Sequence, residues 1–137
     1  MDRSANRIIF AGRGVSFSVV ASPADGPDET FRIAGLANPT VVVPRGAHVS
    51  IQLVNADPDT AHGLVITASG TASSWIPMMT APPAFPGAAV WFLGNPTSAG
   101  MHTGTLSLTI GAQGTYQYLC PVPGHAEKGM VGTLVVS

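Results

Sequence analysis

Apolar residues in this chain recur at every second position over short stretches, and this period constrains the fold more than any other feature. Val49, Ile51 and Leu53 alternate with more polar neighbours, and residues 105–110 follow the same pattern. A period of two places the apolar side chains on one face of a β-strand. No stretch of useful length has the 3.6-residue period of an amphipathic helix. The pattern therefore predicts an all-β chain.

Glycine and proline separate the alternating stretches. The chain has 16 glycines and 12 prolines, and such residues mark turns between strands. Short strands joined by turns predict an antiparallel Greek-key β-sandwich of about eight strands. The 137 residues are enough to bury one full core. We therefore expect residues 1–137 to form a single domain, in which the polar residues 1–7 are a disordered terminus.

The content of charged residues is low. They make up 9% of the chain, and the formal net charge is -1, whereas an average soluble domain has about 25% charged residues. Without a broad basic face, the chain is not expected to bind nucleic acid. A neutral or apolar docking surface fits this composition better.

No apolar run is long enough to cross a bilayer and no signal-peptide pattern is present, so we expect any export or anchoring segment to lie outside this sequence.

Soft metal donors cluster near the C-terminus. Cys120 is the only cysteine, His125 follows it by five positions, and Met130 follows after five more. Thiolate, imidazole and thioether are donors that copper prefers, and a blue-copper site uses two His and one Cys with a weak axial Met. Pro121 and Pro123 stiffen the loop between the first two donors. The loop therefore predicts three of the four ligands of a copper site.

The remaining donor must come from another part of the chain. His62 begins a predicted strand after the polar turn at residues 57–60, whereas His48 lies in mid-strand on a polar face and His102 lies in a loop. A histidine at the beginning of a strand with an apolar continuation suits a buried site. We rank His62 above His102, and His102 above His48. Any of the three, taken alone, would be expected to have a structural role only.

The pattern Tyr-x-Tyr-x-Cys-x4-His-x4-Met, with Asn55 and His62 upstream, resembles the cupredoxins. It is most similar to the rusticyanin and sulfocyanin branch, because plastocyanin-like loops are shorter between Cys and His. The resemblance implies one copper ion in a type 1 site, with His62, Cys120 and His125 as equatorial ligands and Met130 as the axial ligand.

The sequence departs from the family pattern directly after the first histidine. Many cupredoxins have a hydrogen-bonding Ser or Asn there, whose side chain ties the two ligand segments together. This chain has Gly63, which has no side chain to donate or accept a hydrogen bond. The tuning of the metal site is therefore expected to differ from that of its relatives.

The resemblance implies an electron carrier rather than an enzyme. Single electrons would pass between redox partner proteins through His125, the ligand nearest the surface, and partners would dock on an apolar patch around it. Residues 68–86 are expected to form an ordered lid beside this patch. The residues expected in the patch are Pro121, Val122, Pro123 and Ala126 from the loop and Trp75, Met78, Met79 and Phe85 from the lid. The protein is expected to be periplasmic or extracellular, with a membrane anchor in the full-length protein left open.

Two other functions use the same residues. The chain could be a copper-binding or delivery protein that transfers no electrons, or a type 1 copper domain detached from a larger oxidoreductase. A multicopper oxidase would need His-x-His pairs, and the chain has none. A structural zinc site would need a fourth strong ligand. Reversible reduction distinguishes the carrier from the delivery protein.

Overall fold

The computed structural model describes residues 2–22, 30–58, 61–68, 83–94, 96–97, 100–122, 125–126 and 129–137. Within these residues the regular structure consists of strands. In chain order they are β1 (Arg7–Ile9), β2 (Gly14–Ala21), β3 (Phe31–Ile33), β4 (Leu36–Ala37), β5 (Thr40–Val43), β6 (His48–Asn55), β7 (His62–Ala68), β8 (Ala89–Leu93), β9 (Thr103–Thr109), β10 (Gly114–Leu119) and β11 (Val131–Val136). Over the described ranges, no helix has the length and apolar character that crossing a bilayer requires.

The strands form two sheets that enclose the core. The larger sheet has the order β1-β5-β11-β10-β7-β8, and the smaller has the order β4-β3-β2-β6-β9. Burial alternates along β6, where Val49, Ile51 and Leu53 point inward, whereas β7 is buried at six successive positions. The predicted all-β sandwich is confirmed, and its core is the one that the period of two predicts.

The pairing within the sheets is mixed. Among the described strands, β2 pairs with β6 in parallel over eight positions, from Gly14 beside His48 to Ala21 beside Asn55. Strand β5 also runs parallel to both β1 and β11. Parallel neighbours need crossover connections, which the intervening strands provide here. The expected antiparallel pairing therefore holds for the hairpin-like pairs, and the crossovers add parallel ones.

The N-terminal residues form a turn where the sequence predicted a disordered terminus. The Asp2 amide donates to the Arg7 carbonyl at 2.8 Å, and the Arg7 amide donates back to Asp2 at 3.0 Å. The Thr40 amide donates to the Asn6 carbonyl at 2.9 Å, which attaches this turn to the start of β5. The bond to Thr40 joins segments far apart in the chain, so local polarity did not reveal it.

The sheet pairing brings the predicted ligand segments to one edge of the larger sheet. Strand β10 ends at Leu119, which lies opposite Val65 of β7 and Val131 of β11. In antiparallel neighbours the end of one strand lies beside the start of the other. The end of β10, the start of β7 at His62 and the start of β11 therefore meet. This edge therefore gathers the segments that carry the predicted ligands.

Tyr118 anchors the strand that leads to this edge. Its ring is buried edge-on to Phe31 with the centroids 5.8 Å apart, and its hydroxyl donates a hydrogen bond to the Pro39 carbonyl. Burial raises the pKa of the Tyr118 hydroxyl. Gly132 faces the ring on β11, where a Cβ would lie 2.1 Å from the Tyr118 Cζ. The residue at position 132 must therefore be glycine for the ring to fit.

Candidate metal centre

Three of the predicted donors converge in space. One nitrogen from each of His62 and His125 and the Cys120 sulfur all lie within 4.8 Å of one another. The Cys120 Sγ is 3.7 Å from the His62 Nδ1 and 3.4 Å from the His125 Nδ1. The imidazole rings stand 4.8 Å apart, centroid to centroid, at an angle of 49°. Both rings thus turn the same nitrogen toward one sulfur.

These distances fit one metal ion among the three atoms. Metal–sulfur and metal–nitrogen bonds of about 2.3 and 2.0 Å in a trigonal plane separate the two donor atoms by about 3.7 Å. Cys120 and His62 are 0% exposed, so water has no direct access to them. Two imidazoles and one thiolate are the equatorial donors of a type 1 copper site. The chemistry of the donor set therefore fits copper.

Met130 closes the loop over these donors. Its amide donates to the His125 carbonyl at 3.0 Å, and its carbonyl accepts a hydrogen bond from the Cys120 amide at 3.2 Å. The Met130 side chain is fully buried in the same hydrophobic cluster as Cys120. Its thioether as an axial ligand stays a prediction, which this placement favours.

Two tight turns position His125. Its amide donates to the Val122 carbonyl at 3.1 Å, and the Gly129 amide donates to the Ala126 carbonyl at 3.0 Å. Gly129 has φ 112°, a region that favours glycine. His125 is 7% exposed, so it is the most exposed of the three converging residues.

The other two histidines lie outside the cluster. His48 is exposed on β6, and its Nε2 is 3.1 Å from the Ser107 Oγ. His102 is exposed in the loop before β9. The structure therefore brings His62, and neither of the lower-ranked histidines, to Cys120 and His125.

A buried carboxylate beside His62 was missed by the sequence analysis. The Asp57 Oδ2 lies 2.7 Å from the His62 Nε2, on the opposite side of the ring from Cys120. The Asp57 amide in turn donates to the Asn55 Oδ1 at 3.0 Å. The sequence pattern of residues 57–60 indicates only a polar turn, and it does not show that the Asp57 side chain reaches His62. The available signal was an acidic residue five positions before a candidate ligand.

Gly63 lies where the pairing of β7 with β8 is irregular. His62 lies opposite Leu93, but Leu64 lies opposite Val90, so the register shifts between these two β7 residues. Glycine is common at such bulges because it adapts to a locally distorted backbone. The residue that departs from the family pattern thus lies at an irregularity of the sheet next to His62.

The expected apolar patch is described only in part. Val122 is half-buried, and Pro121 and Ala126 are buried. Phe85 is as buried as His125, and its ring packs against Tyr116 with the centroids 4.9 Å apart. The other expected members, Pro123, Trp75, Met78 and Met79, and most of the predicted lid lie outside the described residues.

Comparison with known proteins agrees with this geometry. The model of the sulfocyanin (SoxE) domain family matches residues 6–137. Rusticyanin from Acidithiobacillus ferrooxidans is 29% identical over 133 residues, which are 97% of this chain and 68% of that protein. Auracyanin-B from Chloroflexus aurantiacus is 35% identical over 85 residues, which are 62% of this chain and 34% of that protein.

The fold matches a solved structure as well. The crystal structure of rusticyanin from Thiobacillus ferrooxidans superposes with a TM-score of 0.85 at 26% identity, over 96% of this chain and 82% of that chain. The family and the buried His-Cys-His cluster together assign a type 1 copper to this protein. The chain belongs to the sulfocyanin (SoxE) domain family, within the rusticyanin and sulfocyanin branch of the cupredoxins.

Proposed function

We propose that the protein is a mononuclear blue-copper electron carrier, with His62, Cys120 and His125 as equatorial ligands and Met130 as the axial ligand. The observation that carries the proposal is the convergence of three donor atoms within 4.8 Å in a buried site. When bound, copper supplies a one-electron couple between Cu(I) and Cu(II). The chain transfers electrons one at a time and carries out no reaction on a substrate.

The role of the chain is to hold its donors still. Cys120 is fixed by the end of β10 and by the bond of its amide to Met130, and His62 is fixed by the start of β7. A frame that holds the same donor positions in both oxidation states limits the movement that electron transfer requires. Burial of Cys120 also protects the thiolate from oxidants and leaves no approach for a substrate. Burial therefore supports a carrier over an enzyme.

Electrons enter and leave through His125. It is 7% exposed, whereas His62 and Cys120 are 0% exposed, so a partner surface approaches the His125 ring most closely. Redox partners dock on the apolar patch formed by Val122 and Pro123 with Met78 and Met79. A patch of low charge suits brief encounters. The protein works in the periplasm or outside the cell, as its resemblance to rusticyanin and sulfocyanin implies.

Optical and EPR spectra of the copper-loaded protein test this function. We expect an intense thiolate-to-copper absorption band that disappears on reduction and returns on reoxidation. The band is expected to be absent from Cys120→Ser and retained in His102→Ala, a matched control at an exposed histidine. A wild-type protein that binds copper without this band would contradict the proposed site. A band that does not cycle would favour copper delivery instead.

A further inference from the structure

A chain of hydrogen bonds runs from the end of β8 to the His62 ring. The Asn55 Nδ2 donates to the carbonyls of Leu93 at 2.9 Å and Gly94 at 3.1 Å. The Asn55 Oδ1 accepts the Asp57 amide at 3.0 Å. Asn55, Asp57 and His62 are all buried. The backbone at Asp57 is thus attached to the sheet through the Asn55 side chain.

The contact between Asp57 and His62 determines which ring nitrogen is free. A carboxylate can only accept a hydrogen bond, so the His62 Nε2, 2.7 Å from the Asp57 Oδ2, carries the proton. In the neutral imidazole the His62 Nδ1 is then unprotonated, and its lone pair is available on the side of the ring where the Cys120 Sγ lies, 3.7 Å away. The contact with the Asp57 carboxylate therefore selects the tautomer that a metal requires.

The carboxylate also brings charge to the site. An imidazole that donates to a carboxylate is a more basic ligand than one that donates to a neutral acceptor. In a buried site a fixed negative charge acts over short distances with little screening. Such a charge stabilises Cu(II) more than Cu(I), because Cu(II) has the larger positive charge. The apolar residues around the site have the opposite effect, because they disfavour the more highly charged Cu(II).

We propose that Asp57 is a positioning residue that orients His62 and lowers the reduction potential by preferentially stabilising the oxidised state. Asn55 holds the Asp57 backbone in place by accepting a hydrogen bond from the Asp57 amide. This inference rests on the proposed function, because it needs His62 to be a copper ligand. Asp57 itself does not touch the metal and is neither oxidised nor reduced.

The charge is tested by Asp57→Asn, which keeps an acceptor oxygen and a similar size. We expect the Cu(II) affinity to fall by about 10- to 100-fold and the Cu(I) affinity to fall less. Each tenfold difference between the two losses raises the potential by about 59 mV for a one-electron couple. Competitive titrations with each copper ion and voltammetry measure these quantities. Asp2→Asn removes an equal charge at an exposed position and serves as the control.

The orientation is tested on the metal-free wild-type protein, which needs no variant to fold. Nitrogen-15 NMR of the imidazoles should show His62 as the Nε2–H tautomer, and Asp57→Ala should lose this preference. A wild-type His62 protonated on Nδ1 would overturn the orienting role. A ratio of Cu(II) to Cu(I) affinity in Asp57→Asn equal to that of Asp2→Asn would overturn the charge effect. Absence of the blue band in the wild type would instead remove the proposed function, and the tautomer would still decide the orientation.

Discussion

The Cys120 amide donates a hydrogen bond to the Met130 carbonyl at 3.2 Å, across the base of the loop that carries His125. This bond continues the ladder between β10 and β11, whose last pair is Leu119 with Val131. The loop is therefore closed by the pairing of the strands themselves. The same closure places the Met130 side chain in the core beside Cys120.

The axial position can be tested with Met130→Leu. Leucine and methionine side chains have similar volumes, so we expect the free energy of unfolding of the metal-free protein to fall by less than about 1.5 kcal/mol. The blue band should remain because the three equatorial donors are intact, while loss of the weak axial donor should raise the potential. Voltammetry against Met101→Leu, a control at a methionine that is 56% exposed, measures the shift. Equal potentials in the two variants would show that Met130 is only a core residue.

The fit of Gly132 against Tyr118 predicts a large loss of stability on adding one methyl group. In Gly132→Ala, the new Cβ would lie 2.1 Å from the Tyr118 Cζ, and the ring is held by its contacts with Phe31 and Pro39. Overpacking of this kind costs about 1–3 kcal/mol, measurable by urea unfolding. Gly14→Ala, where a Cβ would meet nothing within 4 Å, should change stability much less. Similar losses in both variants would contradict the steric account.

The Tyr118 hydroxyl predicts a decline in stability at alkaline pH. Burial raises its pKa in the folded protein, whereas an unfolded tyrosine ionises near pH 10. The contribution of Tyr118 to the free energy of unfolding is therefore complete below about pH 10. It is lost progressively above that pH, because only the unfolded chain releases the proton.

Tyr118→Phe removes this contribution. At neutral pH the variant should lose about 1–3 kcal/mol, since the buried Pro39 carbonyl loses its donor. Its unfolding free energy should then fall less than that of the wild type between neutral pH and about pH 11. Tyr116→Phe, whose lost hydroxyl is bonded to the Ala112 carbonyl at an exposed site, is the control. A parallel decline in all three proteins would assign the alkaline sensitivity to other groups.

The docking role of the His125 surface can be tested without knowing a partner. Electron self-exchange between two copies of the copper protein should use the same patch. In Val122→Asp, like charges on the two copies should slow self-exchange by about tenfold or more at low salt, with recovery as salt is added. The optical spectrum should not change. NMR line broadening in mixtures of the two oxidation states gives the rate.

Ser18→Asp, on an exposed strand position of the smaller sheet, is the matched control for this charge. It is expected to leave the self-exchange rate close to that of the wild type. If Val122→Asp exchanges as fast as Ser18→Asp, the docking surface lies elsewhere.

Local sequence predicted the elements well where one face of a strand is buried. The strands at residues 31–33, 40–43 and 48–55 have the predicted bounds, because alternation and turn residues act over a few positions. The two-residue strand β4 was missed, since Leu36–Ala37 is too short to show a period. Parallel pairing was missed as well, because it depends on crossovers that no local pattern records.

The sequence by itself determined the period-two pattern that makes this an all-β chain, and the donor types and spacing of the loop from Cys120 to Met130. These are local properties of neighbouring residues. Only the tertiary structure decided that His62 meets Cys120, 58 positions away, and that the Asp57 carboxylate contacts the other nitrogen of the His62 ring. The physical reason is strand pairing: the ladder between β7 and β10 brings distant segments to one edge, and its register depends on the packing of the whole sandwich.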